Sequence, residues 1–233
     1  MLVKKLSVLA LAGLCAATSQ AEIFHKPKIL AEYQNYAVED DGVEQAGSFL
    51  MLGAGITIYN ETGFYGDVEY ATGSDRSELA LSLGKSFGGY ALFAGYKSVN
   101  MTEVEIPQMN DEAFSEGDPT FDVDISGFFF GGSKNISLDG ATLTLSTALG
   151  LGMEFEMDGD KNNNGVDNSL SGSEASTWSL SGAYNIRLDG GKVMSIGLKY
   201  AEYDLSDADQ EEVSEDLSTH DDQLTSIYMK YAF

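Results

Sequence analysis

The sequence predicts an all-β chain, a transmembrane, antiparallel, up-and-down β-barrel of about ten strands. Three observations carry that expectation. Apolar and polar residues alternate with period two in segment after segment, as in Trp178, Leu180, Tyr184 and Ile186 against Thr177, Ser179, Ser181 and Asn185. The links between these segments alternate between tight turns and long acidic loops. The polar face is largely Gly, Ala, Ser and Thr, as a crowded narrow lumen demands, whereas a solvated sheet face carries Lys, Glu and other long polar chains.

The first element is residues 1–21, MLVKKLSVLALAGLCAATSQA. Lys4 and Lys5 precede an apolar run from Leu6 to Ala17, and Ser19-Gln20-Ala21 is a small-x-small cleavage site, the layout of a secretory signal peptide. The apolar run is too short to span a bilayer as a helix. Cys15 follows Leu14, where a lipoprotein site has a small residue, so lipidation is not expected. Cleavage after Ala21 leaves residues 22–233 as one domain with no cysteine, which excludes disulfides and thiolate metal sites. No run of 18 apolar residues follows, so a membrane crossing must be made by strands. The net charge of -24 becomes -26 when Lys4 and Lys5 leave, which argues against nucleic acid as a partner and toward cations.

After a lead-in, Glu22 to Lys28, that contains His25, strands are expected at 28–38, 47–59, 63–72, 77–87, 89–100, 121–134, 141–156, 175–188, 191–203 and 222–233. The first is the least regular, and dropping it with one neighbour would give eight. NETG at 60–63, FGG at 87–89, SLDG at 137–140 and LDGG at 188–191 read as tight turns. Residues 39–46, 101–120, 157–174 and 204–221 read as long loops, with GSDR at 73–76 the short exception. Tyr59, Phe64, Tyr90, Tyr96, Phe155, Tyr184, Tyr200 and Phe233 stand near strand ends, which suits the aromatic girdles of a barrel in lipid.

The last strand, DQLTSIYMKYAF, places Ile227, Met229, Tyr231 and Phe233 on one face. With Ser226, Tyr231 and Phe233 it resembles the closing strand of bacterial outer-membrane β-barrel proteins of the porin-like and opacity type, although Tyr228 stands where glycine is usual. The resemblance implies periplasmic turns, extracellular loops and residence in the outer membrane of a Gram-negative cell. It also implies a monomer among lipid and lipopolysaccharide, recognised by the barrel assembly machinery through Ser226, Tyr231 and Phe233.

Two acidic features bear on chemistry. In loop 157–174, Asp160, Asn162, Asn164 and Gly165 match the first six positions of a calcium loop, with the Val166 carbonyl at the seventh. The twelfth position is Ser171 rather than a bidentate Glu, so the site would be a weak Ca2+ site, and the competing reading is a solvated loop tip. No cofactor is required. The other loops carry acidic runs such as Asp204, Asp207, Asp209, Glu211 and Glu212, which recruit divalent cations or simply stay solvated.

Inward-facing charges are expected at Asp67, Glu69, Glu78, Asp122, Asp124, Glu154 and Glu156, with Lys97, Lys134, Arg187, Lys199 and Lys230. The acids Glu78, Asp122, Asp124, Glu154 and Glu156 fall toward the long-loop mouth, and Lys134, Arg187 and Lys230 toward the turns. An acidic mouth over a small-residue lumen predicts a narrow passive channel that prefers cations and passes small solutes. The alternative is a non-conducting structural or surface-interaction barrel, its inward charges paired across the lumen and its acidic loops binding divalent cations. A barrel hydrolase is the remote third reading, prompted by resemblance to the ten-stranded outer-membrane proteases (omptins). The chain matches none of their motifs, and its two histidines, His25 and His220, give no catalytic constellation, so no enzyme is expected.

Overall fold

A computed structural model describes residues 22–40, 43–105, 120–159, 169–204 and 221–233. The signal-peptide segment 1–21 lies outside these residues. Ten strands follow one another: β1 Ile23–Asp40, β2 Val43–Asn60, β3 Phe64–Thr72, β4 Arg76–Phe87, β5 Tyr90–Glu105, β6 Thr120–Leu138, β7 Ala141–Gly159, β8 Ser169–Arg187, β9 Val193–Asp204 and β10 Asp221–Ala232. Each pairs antiparallel with its sequence neighbours, and β10 pairs with β1 to close the barrel. The closing ladder runs from Lys28 opposite Ala232 to Glu39 opposite Asp221, and the Phe233 amide extends it by donating to the Pro27 carbonyl at 3.0 Å. Among the described residues the circuit of strands is closed, so none is an edge strand along its whole length, the condition for strands to cross a bilayer, where an open backbone amide finds no water. No described helix is long and apolar enough to cross a membrane.

All ten expected strands are present, and most extend further toward the long loops than the alternation suggested. The segment 39–46 is largely strand: β1 reaches Asp40 and β2 begins at Val43. Likewise β5 runs to Glu105 and β8 begins at Ser169. Backbone pairing continues there although the side chains are polar, because the ladder bonds do not depend on an apolar face. At the other end the turns are tight. Asn60 Oδ1 accepts from the amides of Thr62 and Phe64 at 3.1 Å and organises the β2–β3 turn. The Leu188 amide donates to the Lys192 carbonyl to close the β8–β9 turn.

The outer surface is apolar. Leu50, Leu52, Leu92, Phe128, Phe130, Leu180, Leu198, Ile227 and Met229 are all at least half exposed, an arrangement water would oppose and lipid favours. Tyr231 and Phe233 join this surface edge to face, with ring centroids 4.9 Å apart. Inside, the aromatics use glycine as space. Phe93 and Phe129 lie across Gly131 and Gly95, their register partners on the adjoining strand, where any Cβ would overlap the rings. Tyr65 covers Gly84 in the same way.

One irregularity changes which side chains face in. On β7, Leu145, Leu149 and Leu151 point outward, so strict alternation would turn Glu154 and Glu156 inward. Gly152 instead adopts φ +59°, a bulge shifts the register between Gly150 and Met153, and the parity inverts. Met153 becomes buried, and Glu154 and Glu156 stand exposed.

Candidate functional site: the lumen

Among the described residues two charged groups occupy the lumen. In the first, nearer the turns, Lys28 on β1 reaches across to β3, its Nζ 2.6 Å from Asp67 Oδ1 and 2.5 Å from Glu69 Oε1. Lys230 on β10 closes on the same Glu69 at 2.7 Å, while Thr57 donates to Asp67. Two cations match two carboxylates, and the side chains are largely shielded from water, with 10–28% exposure. Partial burial strengthens each pair but raises the cost of losing one partner.

In the second group, toward the long loops, Glu78 on β4 meets three cations. Its Oε1 lies 3.2 Å from Lys97 Nζ and 3.6 Å from Lys199 Nζ, and its Oε2 lies 3.7 Å from Arg76 Nη2. Lys97 also donates to the Tyr203 hydroxyl at 3.0 Å. Above this layer the lumen is apolar. Tyr36, Val99, Met101, Val123, Ile125, Met153, Ala201, Tyr203 and Leu224 form one buried cluster, and Leu30, Met51 and Ala71 a second. Phe49 packs against both, and with the first cluster it brings apolar side chains from seven of the ten strands together at the loop-side end. The Arg76 guanidinium of β4 lies over the Phe49 ring at 5.9 Å and donates to Met101 Sδ, which brings β4 into the seal.

The lumen charges of the sequence reading divide. Glu78 and Lys230 point inward, as do Asp67, Glu69, Lys97 and Lys199. Asp122, Asp124, Glu154 and Glu156 do not line a mouth: they are exposed on the outer wall. Asp122 and Asp124 share the parity of the exposed Phe128 and Phe130, while the intervening Val123 and Ile125 are buried; the β7 acids are turned out by the bulge at Gly152. Asn100 Nδ2 donates to Asp124 at 2.6 Å along this outer face. Lys134 is also outside, its Nζ 5.4 Å from the ring centre of the exposed Tyr90. Arg187 is exposed at the turn end of β8.

Alternation would have found Lys28 and Arg76, since Lys28 opposes the outward Ile29 and Tyr33, and Arg76 shares parity with Glu78. Ser226 is buried with its hydroxyl unpaired, while Tyr231 and Phe233 lie on the outer side of β10. His25 is exposed in β1, and His220 lies outside the described residues. The calcium-loop positions Asp160, Asn162, Asn164 and Val166 lie outside them too. Among the described residues no cluster of three or more His, Cys, Asp or Glu is placed to hold a metal ion.

The filled, closed ten-strand cylinder with an apolar exterior can be set against known proteins. No protein-family model matches the chain, and no curated protein sequence matches it. Among solved structures, the outer membrane protease OmpT from Escherichia coli superposes with a TM-score of 0.57 over 93% of this chain and 98% of its own, at 9% identity. The fold is that of an outer-membrane β-barrel. At that identity the likeness is one of architecture, and the protease activity belongs to OmpT. More distant are the translocator domain of autotransporter NalP from Neisseria meningitidis and Neisserial surface protein A. The first gives a TM-score of 0.48 at 10% identity over 99% of this chain and 96% of that one. The second gives 0.43 at 8% over 89% and 97%.

Proposed function

We propose that the chain is a non-conducting barrel of the Gram-negative outer membrane, whose strands anchor and display the acidic loop side of the molecule. The observation that carries this reading is the apolar seal at the loop-side end, with Met51, Val99, Met101, Ile125, Met153 and Leu224 all at 0–1% exposure. A cation crossing there would shed its water against a lining mostly of methionine, valine, isoleucine and leucine, and would meet the buried Arg76 guanidinium; Gln34 and Ser226 are the buried polar residues beside it. The charges beneath are engaged with one another rather than arrayed along a path. The channel reading required an acidic mouth, and four of its five acids stand on the outer wall.

Those acids, Asp122, Asp124, Glu154 and Glu156, with the acidic loops, suit a surface held beside lipopolysaccharide phosphates by divalent cations. Assembly through Ser226, Tyr231 and Phe233 and a monomeric state belong to the same proposal. Liposomes carrying the refolded protein test it. Their content should leak no faster than that of empty liposomes for small cations, anions or sugars, and solute-dependent efflux would refute the reading.

A further inference from the structure

Below the seal lies a cavity of about 210 Å3 bordered by both charged groups. Its size is that of about seven water molecules and below the range typical of drug-sized ligands, which limits an occupant to a small molecule. One end is cationic. Lys97 and Lys199 share the single Glu78 oxygen Oε1 at 3.2 and 3.6 Å, and Arg76 stands 3.7 Å from the other oxygen. The further carboxylate within electrostatic reach of Lys199 is Glu32, which already accepts from Gln34 at 3.0 Å. Three cations thus face two carboxylates. The Arg76 side chain is 1% exposed, and its Nε and Nη2 have no hydrogen-bond acceptor. Arg76 does not border the cavity but adds positive potential behind Glu78, whereas Lys97 and Lys199 border it and can meet an anion there. Glu69, the other acid at the cavity, is already matched by Lys28 and Lys230. At the opposite end Phe93 and Phe129 meet edge to face, with centroids 6.2 Å apart, and Ser146, Ser179 and Ser181 supply hydroxyls along the wall.

We propose that this cavity is a binding site for a small aromatic carboxylate, its anionic end held by Lys97 and Lys199 and its ring against Phe93 and Phe129. Cationic donors and aromatic edges bordering one small cavity fix both the charge and the body of the ligand. The site rests on the closed lumen of the proposed function, since Met153, Ala201 and Tyr203 of the seal border it, but benzoate binding is read apart from conductance.

The test is calorimetric titration of the detergent-refolded chain with benzoate, with benzylamine and acetate as probes of charge and ring. Benzoate should bind saturably, benzylamine at least about tenfold more weakly, and acetate more weakly for want of a ring. Lys199→Met or Lys97→Met should weaken benzoate about tenfold by removing a charge-assisted contact. Glu78→Gln should tighten it, because the competing carboxylate is gone. Ala148→Phe, which fills the cavity, should abolish it. The shift in gel mobility between unheated and boiled samples reports whether each variant is folded. Absence of saturable benzoate binding, equal binding of benzylamine, or a folded Ala148→Phe chain that binds like the parent would overturn the proposal.

Discussion

Tyr228 lies across Gly197, its register partner on β9, so closely that a Cβ at position 197 would overlap the phenol ring. The closing strand resembles those of outer-membrane barrels except for a missing glycine, and the glycine that makes room for Tyr228 is on the neighbouring strand instead. Gly197→Ala should therefore destabilise the barrel by about 1–3 kcal/mol through overpacking. Gly182→Ala on β8 meets only Leu145 Cδ2 at an ordinary 3.5 Å and should change stability by less than about 0.5 kcal/mol. Urea unfolding of the detergent-refolded variants measures both, and equal effects would show that the ring does not rest on the glycine.

Lys28 serves two carboxylates, whereas Lys230 serves one. Removal of Lys28 as Lys28→Met is expected to cost about 3 kcal/mol, because it leaves Asp67 without its cation and Glu69 with half its pairing. Lys230→Met should cost less, and adding Glu69→Gln to it should recover part of the loss. A double-mutant cycle by urea unfolding gives the coupling, and strict additivity would mean that Glu69 and Lys230 do not interact.

The bulge at Gly152 can be read chemically, since residues 22–233 contain no cysteine. Glu154→Cys and Asp124→Cys should react fast with a water-soluble maleimide, and Met153→Cys and Ile125→Cys slowly. Fast labelling at 153 with protection at 154 would restore strict alternation and return the acids to the lumen.

At the loop side, calcium should protect residues 157–174 from proteolysis at concentrations where magnesium does not, because oxygen ligands from Asp160, Asn162, Asn164 and Val166 match the roughly six to eight oxygens Ca2+ takes, whereas Mg2+ demands near-ideal octahedral geometry and sheds water reluctantly. Asp160→Ala should remove that protection. Equal protection by the two ions would leave only diffuse screening of the acidic loops.

The sequence made the architecture legible because the two environments of a barrel wall write opposite residue types at alternate positions. Ile227, Met229, Tyr231 and Phe233 could be assigned to one face from spacing alone, and they share the lipid-facing side. Strand ends on the loop side were less legible: VEQAG at 43–47 and SLSGS at 169–173 carry no period-two contrast although their backbones still pair. Face assignment failed where period two breaks, at Gly152, since a glycine within an apolar strand does not announce a bulge. The expectation that charges belong inside also misled at Asp122 and Asp124, whose parity with Phe128 pointed outward. The meeting of Lys28 with Asp67, or of Lys199 with Glu78, depends on register across the closed sheet, which spacing within one strand does not encode.

The central claim is that Met101, Met153 and Leu224 help to close the loop-side end of the lumen, and planar-bilayer recording of the refolded chain tests it most directly. The parent should give no discrete current steps in repeated incorporations, whereas Met101→Ala/Met153→Ala/Leu224→Ala, if it still shows the heat-shifted gel mobility of a folded barrel, should conduct. Discrete cation-selective steps from the parent would contradict the account and restore the channel.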